Sequence, residues 1–480
     1  MSGLLCTSRA REVLVQLTSM RTVVAIVWQA VPPGNAHSQS SFFAMTADRQ
    51  ERLGRSDTDQ LDAYASLAHM AFIDSLAAMT EGDPRWHQTV AGFLTMRAVD
   101  AWRRPALDFS ESSIPWHPQM TAGARRAIEE IDAQHAIRLA LYRVVEALGE
   151  TSPTAPHHLL VRLIGYGRAL EFEAEWALAI DVHETVLEHA EWAQDGHCAG
   201  QAALRLGFGH RVLARHDVAL EWYRRAEQIG IASGELGTEL RGRIGIGKVA
   251  LERGNYALAR VLLEEVERTA DEAGRVEERS QALHELSDIA FRAGDHTRAL
   301  HLLHEALGGY TIQADRDRAL NDLAVNFVEL GLLDAARDAY LVVLATAQER
   351  STRWLAMLNL LTVVGPAGDR AAVERYRQEL MDAALPPGLE FAFWNQLGTA
   401  YAALGDAEAA EAALTRAVAV AREHKLHGRE FEAERQMAQL AESRSVGSRS
   451  APIAAPEAVE IAVAVRDMRL QVCGDEIVPR

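Results

Sequence analysis

The sequence predicts an all-α fold: an α-solenoid of about seven helical hairpins with a helical N-terminal cap region. Three observations carry this. Small residues recur at Ala174, Ala214, Gly254, Gly294, Gly331, Gly368 and Gly405, spaced 40, 40, 40, 37, 37 and 37 residues apart. Around them large apolar and small residues fall at fixed offsets, most clearly in Trp394-x2-Leu397-Gly398-x2-Tyr401-x3-Gly405-x4-Ala410-x3-Leu414-x2-Ala417. Finally, 480 residues with 48 % hydrophobic content and only 14 prolines describe a mostly folded, mostly helical chain. A hairpin of this size buries its apolar face only by stacking on the next copy, so the copies form one array.

The elements follow in chain order. Residues 1–55 mix Ser, Gln, Arg and Gly around one short apolar run, Thr22 to Trp28, and read as a disordered or non-native extension, with Met45 an alternative start. Residues 56–156 read as a helical cap or small bundle. Ser56-Asp57-Thr58-Asp59 opens a helix to about Met79, and a second helix spans Trp86 to Trp102, with Arg103-Arg104-Pro105 as its stop. A loop over Asp108 to Pro118 leads to a longer helix from Thr121 through Leu148.

The repeat array occupies 157–427. Its small residues let helix backbones approach closely while Leu, Tyr and Trp fill the spaces between. Asn255, Asp295, Asp369 and Asp406, each next to a small stop residue, suit the N-cap of the second helix of the hairpin. The sixth copy, with Gly365-Pro366-Ala367-Gly368 at its turn, is degenerate and predicts a bend. Residues 428–444 read as a polar-faced capping helix, and 445–480 as a flexible linker and tail. Within that tail Val459-x-Ile461-Ala-Val463-Ala-Val465 suits a short strand, a helix or a docking peptide.

The motif from Trp394 to Ala417 resembles the tetratricopeptide repeat, here in 37- to 40-residue units, and the resemblance extends from Tyr166 to Ala417. It implies that the first helix of each hairpin lines a concave groove. Carrying the groove-facing places onto this chain gives Arg168, then Gln201, Arg205 and Arg211, then Arg241 and Lys248. Further on come Gln281, His284, Glu285 and Asp288, then Arg318, Asn321 and Asp322, then Asn359, and finally Asn395, Gln396 and Thr399. The N-terminal half of this set is basic and the C-terminal half amide-rich. Such a field suits a carboxylate, an acidic peptide or a phosphate, unless the arginines pair with neighbouring acids. The Lys and Asn places that hold a chain-terminal carboxylate in co-chaperone members are not reproduced, since the first copies carry Ile164 with Arg168 and Leu204 with Phe208. Units of about 40 residues also resemble the sensor domains of bacterial transcription activators and pheromone receptors, although no helix-turn-helix accompanies them here.

A net charge of −18 excludes wholesale binding to nucleic acid or an anionic membrane, both of which demand a basic footprint. Positive charge is almost all arginine, with Lys248 and Lys425 the lone lysines, a bias that fits a GC-rich bacterial genome. Cys6, Cys198 and Cys473 form no paired framework, which fits a reducing cytoplasmic setting without structural metal.

Catalytic motifs fail one by one. Gly242 to Val249 matches a phosphate-binding loop except that Val249 replaces the metal-ligating Ser or Thr and no strand precedes it. His183-Glu184 begins a zinc-protease motif whose second histidine is misplaced at His189. His301 with His304, and His157 with His158, lack further ligands at matching spacing. The sequence therefore predicts a non-catalytic scaffold or adaptor, without cofactor or metal, that binds a protein or peptide partner of possible acidic character. The alternative is a regulatory sensor whose bound peptide or small ligand controls a transcription or signalling partner. Exposed ends of a repeat array are adhesive, so self-association stays open.

Overall fold

A computed structural model describes residues 69–80, 82–107, 121–150, 154–383, 385, 387–424, 427–442 and 455–474. The extension over 1–55, the N-cap cluster at Ser56 to Asp59, the whole of the 108–118 loop, and residues 443–454 and 475–480 lie outside the described residues. Twenty helices account for the described elements: α1 Met70–Ala78, α2 Trp86–Leu107, α3 Ala122–Glu129, α4 Ala136–Ala147, then α5 Ala155–Phe172 and α6 Trp176–Trp192 as the first hairpin. Six further hairpins follow: α7 Gly196–Val212 with α8 His216–Ser233, α9 Leu236–Glu252 with α10 Tyr256–Glu272, α11 Val276–Arg292 with α12 His296–Gly309, α13 Gln313–Glu329 with α14 Leu333–Thr346, α15 Arg350–Val364 with α16 Arg370–Met381, and α17 Pro387–Ala403 with α18 Ala407–Glu423. The chain continues in α19 His427–Glu442 and α20 Pro456–Cys473.

Every small residue singled out in the sequence adopts the left-handed conformation. Ala174 and Ala214 have φ of 62° and 57°, and the five glycines from Gly254 to Gly405 lie between 74° and 79°. The turn needs that conformation to reverse the chain within a few residues, which is why the position excludes large side chains. Asn255, Asp295, Asp369 and Asp406 then accept the amide N–H three residues on, at 3.0–3.2 Å, and start the second helix as predicted. Inside the hairpins the helices touch through glycine. A Cβ at Gly207 would lie 2.7 Å from the Tyr223 ring, and one at Gly398 2.7 Å from Leu414.

The chain forms two compact units, residues Met1–Glu171 with Glu175–Thr238, and Phe172–Ala174 with Glu239–Arg480. In the first, the helices before the repeats share one core with the first two hairpins: Phe72, Met96, Ile128 and Leu141 are buried together with Leu159, Tyr166, Val186 and Leu206. In the second, Leu300, Leu303, Leu320, Phe327, Tyr340, Leu358, Leu361, Tyr376 and Leu397 lie in a continuous core. Full burial of each such side chain contributes about 1.5–3 kcal/mol.

Four local expectations need correction. Helix α1 starts at Met70, because His69 takes a left-handed conformation (φ 75°) that a continuous helix from residue 57 cannot contain. Helix α2 continues through Pro105 to Leu107, since a proline in a last turn forfeits one ladder bond without ending the helix there. The single helix expected from Thr121 through Leu148 is two. Asp132 accepts the Gln134 amide at 2.7 Å, and His135 accepts the Ile137 amide as the N-cap of α4. The tail expected to be flexible contains α20, whose Ala458, Ile461 and Val465 join the second unit's core beside α12 and α14, while Arg469 pairs with Asp338 at 2.9 Å. These three apolar residues, spaced three and four apart, face one side of a helix, and the interleaved Val459 and Val463 remain exposed.

Candidate functional site

The groove-facing places lie on the first helices: Arg168 on α5, Arg205 and Arg211 on α7, Arg241 and Lys248 on α9, His284 on α11, Arg318 and Asn321 on α13, Asn359 on α15, and Asn395 on α17. The first three belong to the first unit and the remainder to the second.

In the second unit a string of hydrogen bonds runs across successive first helices. The Tyr310 hydroxyl meets His284 Nδ1 at 3.1 Å, and His284 Nε2 meets Asp322 at 2.9 Å. Asn321 Nδ2 donates to Asp322 at 3.2 Å, Asn359 Nδ2 donates to Asn321 at 3.2 Å, and Gln396 Nε2 donates to Asn359 at 3.4 Å. The amide partners sit 38 and 37 residues apart, one repeat each. A side-chain amide carries two donors and an acceptor, so each member can hold its neighbour and retain bonding capacity. Two acceptors use none of it: Asn395 Oδ1 and Gln396 Oε1 are buried without a hydrogen-bond partner. Beyond them Thr399 donates to Gln436 of α19 at 3.3 Å.

The cations expected to make the groove basic are engaged by acids of neighbouring helices. Arg241 pairs with Glu278 at 2.8 Å and Lys248 with Glu285 at 2.7 Å, both acids on α11. Arg318 meets Glu349 at 3.1 Å and also pairs with Asp315. In the first unit Arg205 pairs at 2.8 Å with the buried Glu171 of α5, which also takes His183 at 3.0 Å. Burial opposes the charge on Glu171, yet Arg205 and His183 outweigh it and hold the carboxyl down to about 2. Arg205 and Arg211 flank the Phe208 ring, at 5.3 and 5.5 Å from its centre, and Arg168 is exposed. The alternative in which arginines pair with neighbouring acids is therefore realised at Arg205, Arg241, Lys248 and Arg318. Glu171, Glu278 and Gln436 were not singled out by the register; an acid about one repeat from a basic residue is the signal that finds Glu171 and Glu278, and it does not reach the amide Gln436.

The rejected motifs stay rejected for structural reasons. Gly242 to Val249 lies within α9, and Gly247 packs against Leu263, where a Cβ would come within 3.1 Å. His183 is buried against Gly167, whose Cβ would meet the imidazole at 2.4 Å.

A second titratable cluster, invisible to the sequence pattern, lies in the first unit. The buried His69 ring contacts Asp181 at 2.5 Å and Asp100 at 3.3 Å. Burial alone would depress its pKa, but hydrogen bonds and charge from the two carboxylates raise it to about 9. Nearby on α7, burial and the charge of Asp195 push the Cys198 thiol up to about 12.

The tetratricopeptide repeat family model matches residues 391–424, which span α17 and α18, and the chain's helical hairpins are of tetratricopeptide type. No curated protein matches the chain in sequence. Among solved structures, a Rap protein complexed with competence and sporulation factor is 12 % identical, covers 74 % of this chain and 98 % of its own, and has a TM-score of 0.42. The Rap conjugation regulator of plasmid pLS20 in complex with the Phr* peptide is 13 % identical over 75 % of this chain and 98 % of its own, at a TM-score of 0.45. The apo quorum sensor NprR from B. thuringiensis is 13 % identical over 73 % of this chain and 98 % of its own, at 0.37. No helix among the described residues is long and apolar enough to cross a membrane.

Proposed function

We propose that this tetratricopeptide-type chain is a non-catalytic scaffold that binds an extended peptide or protein segment on the first-helix face of its second unit, along Asn321, Asn359, Asn395 and Gln396. The observation that carries the reading is the amide string with its two buried, unpartnered acceptors. A peptide backbone presents alternating N–H and C=O groups, which side-chain amides can match without regard to sequence. Buried acceptors left without a partner cost free energy that a bound N–H recovers. The paired cations around the string lower the attraction expected for a strongly acidic ligand, so we assign affinity to the amides.

The proposed setting is the cytoplasm of a bacterium, with no nucleic acid or membrane partner, in line with the chain's net charge of −18. The test selects peptides from a random display library on the full-length chain and measures their affinity by calorimetry. Asn359→Ala should weaken the selected peptides at least about tenfold, roughly the loss of one good hydrogen bond with its partner left unpaired. Arg168→Gln should leave them unchanged. Equal affinity in both variants would move the site elsewhere.

A further inference from the structure

We propose that His157, Asp195 and Cys198 form a site for a divalent transition metal, with zinc the ion their chemistry suits, fastening the start of α5 to the start of α7. Among the described residues this is the one group of three or more His, Cys, Asp or Glu side chains whose ligand atoms converge, all lying within 4.8 Å of one another. His157 Nδ1 is 2.6 Å from Asp195 Oδ2 and 3.8 Å from Cys198 Sγ. Tetrahedral zinc, with bonds of about 2.0–2.3 Å to nitrogen, oxygen and sulfur, places its ligand atoms roughly 3.3–3.7 Å apart. The nitrogen-to-sulfur distance of 3.8 Å lies just above that range. The nitrogen-to-oxygen distance opens to that range by a small turn of the imidazole, which is half exposed.

Orientation of the set comes from α7 itself. Asp195 is the N-cap, and its Oδ1 accepts the Cys198 amide at 3.0 Å, which leaves Oδ2 directed at His157. That second hydrogen bond fixes the carboxylate as outer contacts fix ligands in metal centres. The helix start adds partial positive charge that favours the carboxylate, and the charge of the metal itself would draw the proton from the buried thiol. The neighbouring histidines are occupied: His197 binds Glu235 at 2.9 Å and His158 binds Glu150 at 2.7 Å. On coordination the thiol proton leaves to solvent and the neutral imidazole keeps its proton on Nε2. Three protein ligands leave a fourth position, on the exposed side of His157, for water or an incoming donor.

The sequence hid this site because its members lie 38 and 41 residues apart, one repeat length, and only stacking of successive first helices brings them together.

The test uses the full chain in a Cys6→Ser, Cys473→Ser background, so that Cys198 is the sole thiol, titrated with Co2+ and then Zn2+. The expected result is one Co2+ per chain, a near-ultraviolet thiolate-to-cobalt band with visible bands of tetrahedral cobalt, and displacement by Zn2+. His157→Gln and Cys198→Ser should each abolish the bands, while Asp195→Asn, which keeps the helix cap, should weaken binding. Circular dichroism checks folding, and the exposed His157 gives a variant that leaves the core untouched. Absence of bands at excess Co2+, or bands that persist in His157→Gln, would overturn the proposal.

Discussion

The 40-residue and 37-residue copies differ in how they end, and in what links one first helix to the next. In the earlier copies the second helices α6, α8 and α10 run 17 or 18 residues and stop at a left-handed residue, Gln194, Gly234 or Gly274. The second helices α12 and α14 run 14 residues and stop at an extended residue, Tyr310 or Ala347, with ψ of 128° and 125°. The shortening removes about 4.5 Å of helix, close to one turn. The links change as well. Helices α9 and α11 are joined by Arg241 to Glu278 and Lys248 to Glu285, whereas α13, α15 and α17 are joined by Asn321, Asn359 and Gln396 beside a single charge pair, Arg318 to Glu349. A charge pair cancels the charge of both partners. An amide pair has no charge to cancel and keeps unused bonding capacity, and so the same register builds a charged fastener in one place and the proposed recognition surface in the other.

The largest expected effect breaks the fastener. Arg205→Leu leaves the buried Glu171 with the His183 ring as its remaining side-chain partner, and should cost about 3 kcal/mol in urea denaturation. The acid dependence has a definite sign. Glu171 is held near 2 in the folded chain, so its contribution is present above its ordinary value of 4.5 and fades as pH falls toward 2. The variant should lose that contribution at neutral pH.

A similar dependence, of opposite sign, belongs to the helices before the repeats. With His69 raised from 6.5 to about 9, the stabilisation it confers is fully present below pH 6.5 and lost as pH rises through 9. It is on the order of 3 kcal/mol from the size of the shift. Thermal melts of wild type and His69→Gln should therefore differ most at pH 6 and converge near pH 10; parallel curves would remove the two-carboxylate sandwich as the cause.

Smaller and more selective is the contrast in binding. Asn359→Ala should weaken selected peptides by at least about 1.4 kcal/mol, and Lys248→Gln should change them by under about 0.5 kcal/mol. Reversal of that order would assign recognition to the charged link instead of the amides.

The smallest effect concerns the turns. Ala174 and Ala214 stand in left-handed backbone where the other five copies have glycine. Replacing either with glycine should stabilise the chain by up to about 1 kcal/mol, while Gly254→Ala should destabilise it by a similar amount, both read from melting temperature.

The repeat turns were legible in the sequence because their cause is local: a small residue for positive φ, then an Asx cap. So were the amides, since the register of the hairpin alone assigns Asn321, Asn359 and Asn395 to the first-helix face. What the arginines do was not legible, because Arg205 and Glu171 are 34 residues apart and the pairing exists only once helices stack. Helix α20 was obscured for a different reason. Its valines alternate along the chain as in a strand, and the burial of Ala458, Ile461 and Val465 became visible only with the surface they cover. The break between α3 and α4 depends on Asp132 and His135 outcompeting the helix ladder, a choice between two local hydrogen-bond patterns that composition does not decide.

The return of α20 onto α12 and α14 also fixes an order of events during synthesis. Those two helices leave the ribosome more than a hundred residues before the helix that covers them, so their outer apolar surface waits uncovered while the later hairpins are made. A message cut short before Pro456 would encode every hairpin and still release a chain with an open apolar patch, a substrate for chaperones and proteases.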